Sequence, residues 1–274
     1  MTISDLFSRG RPESAIRNWQ LAITIYEMVR LAIAAVAATA TGLAGYQSMT
    51  PTGQWYGKTF TGLPAGSKKL ALTYDDGPND PHTMRLLEVL ARHQVSATFF
   101  MIGRHVKERP QIARAVAQAG HVIGNHTAGH PNLIFVSARQ ARLELEECEG
   151  ILTDVVGGHS RLFRPPFGGR RPATLRVARS LGLEPVMWNV TGWDWKTTSP
   201  KYVEQKVSAQ IRGGDIILLH DGGHRGIGVD RAHTVAATDR IISRYKDQGY
   251  QFVTVPQMMG EQVVSSQLSA VSKR

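Results

Sequence analysis

Leu70-Ala71-Leu72-Thr73-Tyr74, running straight into Asp75-Asp76-Gly77-Pro78, is the stretch on which the fold turns. Apolar and β-branched residues stop abruptly at two carboxylates and a Gly-Pro pair, the pattern of a buried strand entering a turn. Working outward, the same kind of unit recurs. Residues 83–93 place Leu86, Leu87 and Leu90 at helical spacing, and 95–101 form an aromatic, β-branched strand. Residues 110–119 read as a helix closed by Gly120, and 121–124 as a third strand. Ser137 caps a helix running to about Val156. Further strands are expected near 162–163, 184–190, 215–219 and 251–255, with helices over 173–180, 201–211 and 231–246. The alternation predicts an α/β domain on a parallel sheet, open or closed as a barrel, with its chemistry just after the strands.

Composition agrees with a folded chain: of 274 residues, 42% are hydrophobic and 20% charged, which excludes disorder over most of the length. The single cysteine, Cys148, excludes an intramolecular disulfide framework and a cysteine-based zinc knuckle, and leaves the compartment open. Lys and Arg outnumber Asp and Glu by 32 to 22, a formal charge of +10. That balance suits nucleic acid, an anionic membrane surface or an acidic polymer. No recognition-helix or RNA-binding signature accompanies it, so no nucleic-acid partner is expected.

The amino terminus is a different kind of text. Arg9, Arg11 and Arg17 precede an apolar run over 28–46, whose one charge is Arg30 at its edge. Arginines before the run and few after it fit a membrane anchor with a cytoplasmic amino terminus. Ala38-Thr39-Ala40 resembles a small-residue cleavage site, so an export signal fits as well. An Ala-rich helix packed on a soluble, cytoplasmic domain is the alternative. The expected division is a leader over 1–50, a Gly/Thr/Ser/Pro-rich arm over 51–67, a domain over 68–260 and a tail over 261–274.

Five clusters at strand ends carry the chemistry. Asp75 and Asp76 close the first strand; neighbouring buried carboxylates repel, which a cation would relieve. His126 and His130, spaced as HxxxH, fit one side of a helical turn and could share a metal. With the carboxylate pair they form a His-His-Asp set that leaves coordination positions open. In Arg164-Pro165-Pro166-Phe167-Gly168-Gly169 the prolines fix the backbone, and Arg164 could hold a carboxylate in a bidentate pair. Trp193-Asp194-Trp195 suggests a ligand wall or plain core packing. His220 ends the strand Ile216-Ile217-Leu218-Leu219 and could donate a proton at neutral pH.

Taken in order, Thr73-Tyr74-Asp75-Asp76-Gly77, His126-x-x-x-His130, Arg164-x-Pro166, Asp194-Trp195 and Leu218-x-His220 resemble the polysaccharide deacetylases, the NodB-homology group or carbohydrate esterase family four. The resemblance runs from about Lys68 to Val255. It implies a distorted (β/α)7 TIM-like barrel and a metal-dependent hydrolase that removes N-acetyl groups from a polysaccharide or other cell-envelope glycan. A deformylase or deacetylase of a lipid-linked amino sugar is the alternative on the same site. The resemblance makes Asp75 the general base and gives Asp76, His126 and His130 one divalent metal, zinc first, with cobalt, nickel or iron also suited. It has Arg164 orient Asp75, and Asp194 keep the acid His220 protonated. Leu218 and Trp195 would line the pocket for the acyl methyl, and the backbone N–H near Phe167 would face the oxyanion. It also favours export or anchoring at the cell envelope.

Three positions depart from the family pattern. Tyr74 replaces a phenylalanine, Phe167 a tyrosine, and Thr191 the first carboxylate of a D-x-x-D-W pattern. His82, His93, His105, His121, His159, His224 and His233 read as surface or core residues. Glu144, Glu146, Glu147 and Glu149 read as a solvated helix face, and residues 222–230 as a basic loop that is either a substrate-contacting lid or disordered.

Overall fold

The computed structural model describes residues 12–260. Arg9, Arg11 and the expected tail over 261–274 lie outside the described residues. The chain divides into two compact units between Gln47 and Ser48. Helix α1 (Glu13–Met49) makes up most of the first. No proline interrupts its sequence, whereas Pro12 and Pro51 flank it, so the polar residues ahead of the apolar run join the same helix. By length and composition alone, α1 is long and apolar enough to cross a membrane.

The second unit is the α/β domain. Its elements are β1 (Lys69–Gly77), α2 (His82–Arg92), β2 (Thr98–Met101), α3 (Gly103–Glu108), α4 (Pro110–Gln118), β3 (Val122–Asn125), α5 (Ala138–Val156), β4 (Leu162–Phe163), α6 (Pro172–Ser180), β5 (Glu184–Pro185), β6 (Val190–Thr191), α7 (Pro200–Ser208), β7 (Asp215–His220), α8 (Ala232–Asp247) and β8 (Gln251–Phe252). The strand order is β5-β4-β3-β2-β1-β7-β6, with β8 beside β1, and every ladder is parallel. The two ends of that path, β5 and β6, are consecutive in the chain, so the sheet curls on itself as a distorted (β/α)7 TIM-like barrel.

Two strand expectations need correction. Residues 184–190 form two dipeptide strands rather than one, because Val186 N donates to Phe163 O while Met187 N donates to Phe60 O. The segment therefore leaves β4 for the arm before Val190 reaches β7. The arm itself makes sheet contacts, Phe60 bridging Val186 and Gly62 bridging Asp215. The second concerns the turn expected over 75–78: Asp75 and Asp76 do close β1, but the strand runs on to Gly77 before the chain turns.

Alternation along β1 builds two cores. Leu70, Leu72 and Tyr74 face the helices, with Leu86, Leu90, Phe99 and Ile241. Ala71 faces the interior with Phe100, Met187, Trp188 and Leu218. A strand buried on both faces is what a helix-covered parallel sheet requires. Thr73 and Asp75 share the inward parity of Ala71, which aims the first carboxylate into the barrel.

Candidate active site

A strand should point Asp75 and Asp76 to opposite sides. The structure overcomes this with a bulge: Asp75 pairs with Phe100 and Gly77 with Met101, leaving Asp76 as the extra residue at φ 72. Both carboxylates then face one cleft of about 580 Å³. The loop after β7 closes tightly on the bulge. At Gly222 an added Cβ would lie 2.2 Å from Asp76 O, so only glycine fits there.

Each carboxylate has its own partners. Arg164, fully buried, donates from Nη1 to Asp75 Oδ1 at 2.8 Å and to Thr73 Oγ1 at 2.7 Å. Its Nη2 donates to Met187 O at 3.1 Å, and its plane lies 4.1 Å from the Phe100 ring centre. The guanidinium is locked, and Asp75 keeps only Oδ2 for other work. Arg164→Met would leave Asp75 as an unpaired buried charge. We expect it to cost roughly 3–5 kcal/mol of stability, read as a large fall in Tm; an unchanged Tm would contradict the pairing.

Asp76 is balanced differently. Its Oδ1 stands 3.1 Å from His130 Nε2 and 3.5 Å from His126 Nε2, and among the described residues it is buried without a hydrogen bond. His126 Nδ1 donates to Arg164 O at 2.8 Å, which leaves Nε2 of the neutral ring as a lone pair aimed at the cleft. Burial pushes His130 below the usual imidazole range, although Asp76 opposes this. Burial also works against the Asp76 charge, but the two imidazoles hold that carboxyl well below its ordinary range. A carboxylate and two imidazoles, with ligand atoms all within 4.8 Å of one another, are the donor set a divalent cation needs. The residues present fit a metal.

The helical turn expected for residues 126–130 is not formed. Thr127 (φ 66) and His130 (φ 62) are left-handed. Asn125 Oδ1 accepts from Thr127 N at 2.8 Å, and Thr127 Oγ1 from His130 N at 2.9 Å. These local bonds outcompete helix formation, and the bent loop brings the two rings to 4.9 Å between centres.

Beside Asp75 stands His220, its register partner at the end of β7. Its Nδ1 lies 2.9 Å from Asp194 Oδ1, and its backbone N donates to Asp194 Oδ2 at 2.7 Å. Thr234 Oγ1 adds a bond to Oδ2 at 2.9 Å, and His233 Nε2 lies 2.7 Å from Asp194 O. Burial pulls the His220 imidazole down, but the Asp194 carboxylate and the more distant Asp76 and Asp75 push it up to about 8. Nε2 is thereby left as the proton-bearing atom on the cleft side.

Of the expected site residues, Asp75, Asp76, His126, His130, Phe167, Trp195, Leu218 and His220 line the cleft. Arg164 and Asp194 are fully buried behind Asp75 and His220. Phe167, half exposed at φ 58, packs its ring edge on His130 at 4.7 Å. Trp195 meets the His220 ring edge-on at 5.1 Å. Several supports were not foreseen. His105, read as a bland histidine, has Nδ1 3.0 Å from Asp76 O; His233 holds Asp194, and His224 stacks on His130 at 5.3 Å. Loop 222–230 is tied down, since Asn79 Nδ2 donates to Asp221 O and Val229 O. These partners lie far off in sequence, and only Asn125, next to the HxxxH spacing, could have been suspected beforehand.

Known proteins resemble this chain in sequence and in fold. The sequence pattern of the polysaccharide deacetylases matches residues 62–186. The chain is 37% identical over 205 residues to a peptidoglycan-N-acetylglucosamine deacetylase of Bacillus cereus, covering 74% of this chain and 72% of the relative. It is also 37% identical over 198 residues to a chitooligosaccharide deacetylase of Sinorhizobium fredii, covering 70% and 92%. Among solved structures, the Bc1960 peptidoglycan N-acetylglucosamine deacetylase superposes with a TM-score of 0.68 at 36% identity, covering 73% of this chain and 91% of that one.

Proposed function

The chain belongs to the polysaccharide deacetylase family, and we propose that it removes N-acetyl groups from the amino sugars of a cell-envelope glycan, with a resident divalent metal, an Asp base and a His acid. One observation carries this reading. Asp75 and His220 are register partners on β1 and β7, so a base and an acid stand side by side in one cleft with the Asp76-His126-His130 set. Relatives named for peptidoglycan and for chitooligosaccharides support an N-acetylated glycan as substrate.

A divalent cation, zinc first, held by Asp76, His126 and His130 would polarise the amide carbonyl and acidify a water. The rest falls to the chain's own groups. Asp75, fixed through Oδ1 by Arg164, takes the proton of the attacking water on Oδ2. The main-chain N–H at Phe167 donates to the developing oxyanion, a contribution of about 2.7–4 kcal/mol for one such donor. His220 Nε2 gives its proton to the departing nitrogen, and Asp194 stabilises the imidazolium before transfer. Leu218 and Trp195 enclose the acyl methyl. Acetate and a free amino sugar leave.

His220 works only when protonated, so activity should fall as pH rises through about 8. Asp194→Asn removes the charge that raises His220, and the alkaline limb should move down by about 1–3 units. A pH–rate profile of kcat/KM checks this, and a limb that stays in place would contradict the pairing.

A second reading keeps the site and changes the substrate to a lipid-linked amino sugar carrying a formyl or acetyl group. Helix α1, long and apolar enough to span a bilayer, is the observation in its favour. We read residues 28–46 as the membrane anchor or export signal, and the domain over 68–260 as acting at the envelope. Acetate and formate release from peptidoglycan strands, chitooligosaccharides and lipid-linked amino sugars separates the two readings. Acetate from a glycan alone supports the first, and formate or acetate from lipid-linked sugar alone the second.

A further inference from the structure

Two of the glutamates expected on a solvated face of α5 do not face solvent freely. Glu146 and Glu147 are exposed, whereas Glu144 and Glu149 are half-buried and reach the loop that carries His126 and His130. Glu144 Oε2 accepts from Gly129 N at 2.7 Å, and its carbonyl accepts from Ala128 N at 3.0 Å. Glu149 Oε1 accepts from Asn125 Nδ2 at 2.9 Å. Arg161 Nη1 donates to Glu149 Oε2 at 2.8 Å, and His159 Nε2 lies 3.1 Å from the same oxygen.

The two histidines differ in what aims them. The His126 ring is oriented by its own Nδ1 bond to Arg164 O, the usual outer partner of a metal-binding imidazole. Among the described residues, His130 Nδ1 is buried with no hydrogen-bond partner. None of them grips the ring by its second nitrogen, so its aim rests on packing against Phe167 and His224 and on its backbone. That backbone is left-handed, a conformation a non-glycine residue keeps only where its surroundings impose it. The residue just before it is Gly129, whose N–H is held by the Glu144 carboxylate in a charge-assisted bond.

We propose that Glu144 is a positioning residue of the metal site, fixing the 128–130 backbone so that His130 Nε2 meets His126 Nε2 and Asp76 Oδ1. This rests on the reading of those three residues as the metal ligands. Its consequence is in metal affinity and needs no substrate.

The test is zinc affinity of the full chain in detergent, by competition with a chromophoric chelator. Glu144→Ala should weaken zinc by about 10–100-fold, the range for loss of an outer partner. Glu144→Gln, whose amide oxygen still accepts from Gly129 N, should recover most of it. Glu147→Ala on the exposed side of the same helix should change nothing. Glu144→Ala binding zinc as tightly as the unmodified chain, or no more weakly than Glu147→Ala, would overturn the proposal. Should Glu144→Ala fail to fold, Glu144→Asp keeps the charge but draws it back from Gly129. Its affinity must fall too, and an unchanged value is equally fatal. An unmodified chain that takes up none of zinc, cobalt, nickel or iron would overturn the metal reading itself, whereas metal uptake without deacetylation would overturn only the substrate reading.

Discussion

Asp75→Asn should lose turnover by about 10²–10⁴-fold, the usual contribution of a positioned general base, while keeping its metal. Geometry separates the two roles. Oδ1 of Asp75 is committed to Arg164 at 2.8 Å, while Oδ2 is 3.8 Å from His126 Nε2, beside the ligand set without belonging to it. An asparagine preserves shape and can still accept from Arg164, but no atom of it can take the water's proton. Arg164 would then sit buried without a counter-charge, so stability falls as well, and the assay belongs at a temperature where the variant is folded. Acetate release and elemental analysis on one sample read both halves of the prediction. Zinc lost in step with turnover would make Asp75 a ligand and remove it as the base.

His126→Ala should behave in the opposite way, losing metal and activity together. His126 supplies Nε2 directly to the set and is only 2% exposed, so no water-filled route replaces it cheaply. Loss of a ligand should exceed the 10–100-fold typical of outer partners. Excess zinc should therefore restore part of the activity of His126→Ala and none of that of Asp75→Asn. If the two variants hold equal metal, the division of labour between base and ligand is wrong.

What the sequence could and could not disclose follows from how each feature is encoded. The two-residue alternation of β1 is written in Leu70, Leu72 and Tyr74 against Ala71 and Thr73, and the α5 cap in Ser137, whose Oγ does accept from Gln140 N. The chemical residues were legible because their types are unusual at strand ends. Their backbone was not. The bulge at Asp76 and the left-handed Thr127 and His130 carry none of the glycines that advertise positive φ, so a bulge passed for a turn and a bent loop for a helix. Strands of two residues, such as β5 and β6, are too short for periodicity to show. The outer supports were hidden for a third reason. Asp194 is held by Thr234 and His233, 40 and 39 residues away, and Glu144 differs from Glu147 only in the loop it happens to face.

A cation on Asp76, His126 and His130, working with the Asp75–His220 pair, should hydrolyse an N-acetyl group on a glycan. The decisive measurement is acetate release from N-acetylglucosamine oligomers and from peptidoglycan strands, on the full chain before chelation, after chelation and after zinc is restored. Acetate should come from at least one of these glycans, be lost on chelation and return with zinc. Acetate release that persists at full rate in the chelated protein, or none from any N-acetylated glycan with zinc bound, would contradict it.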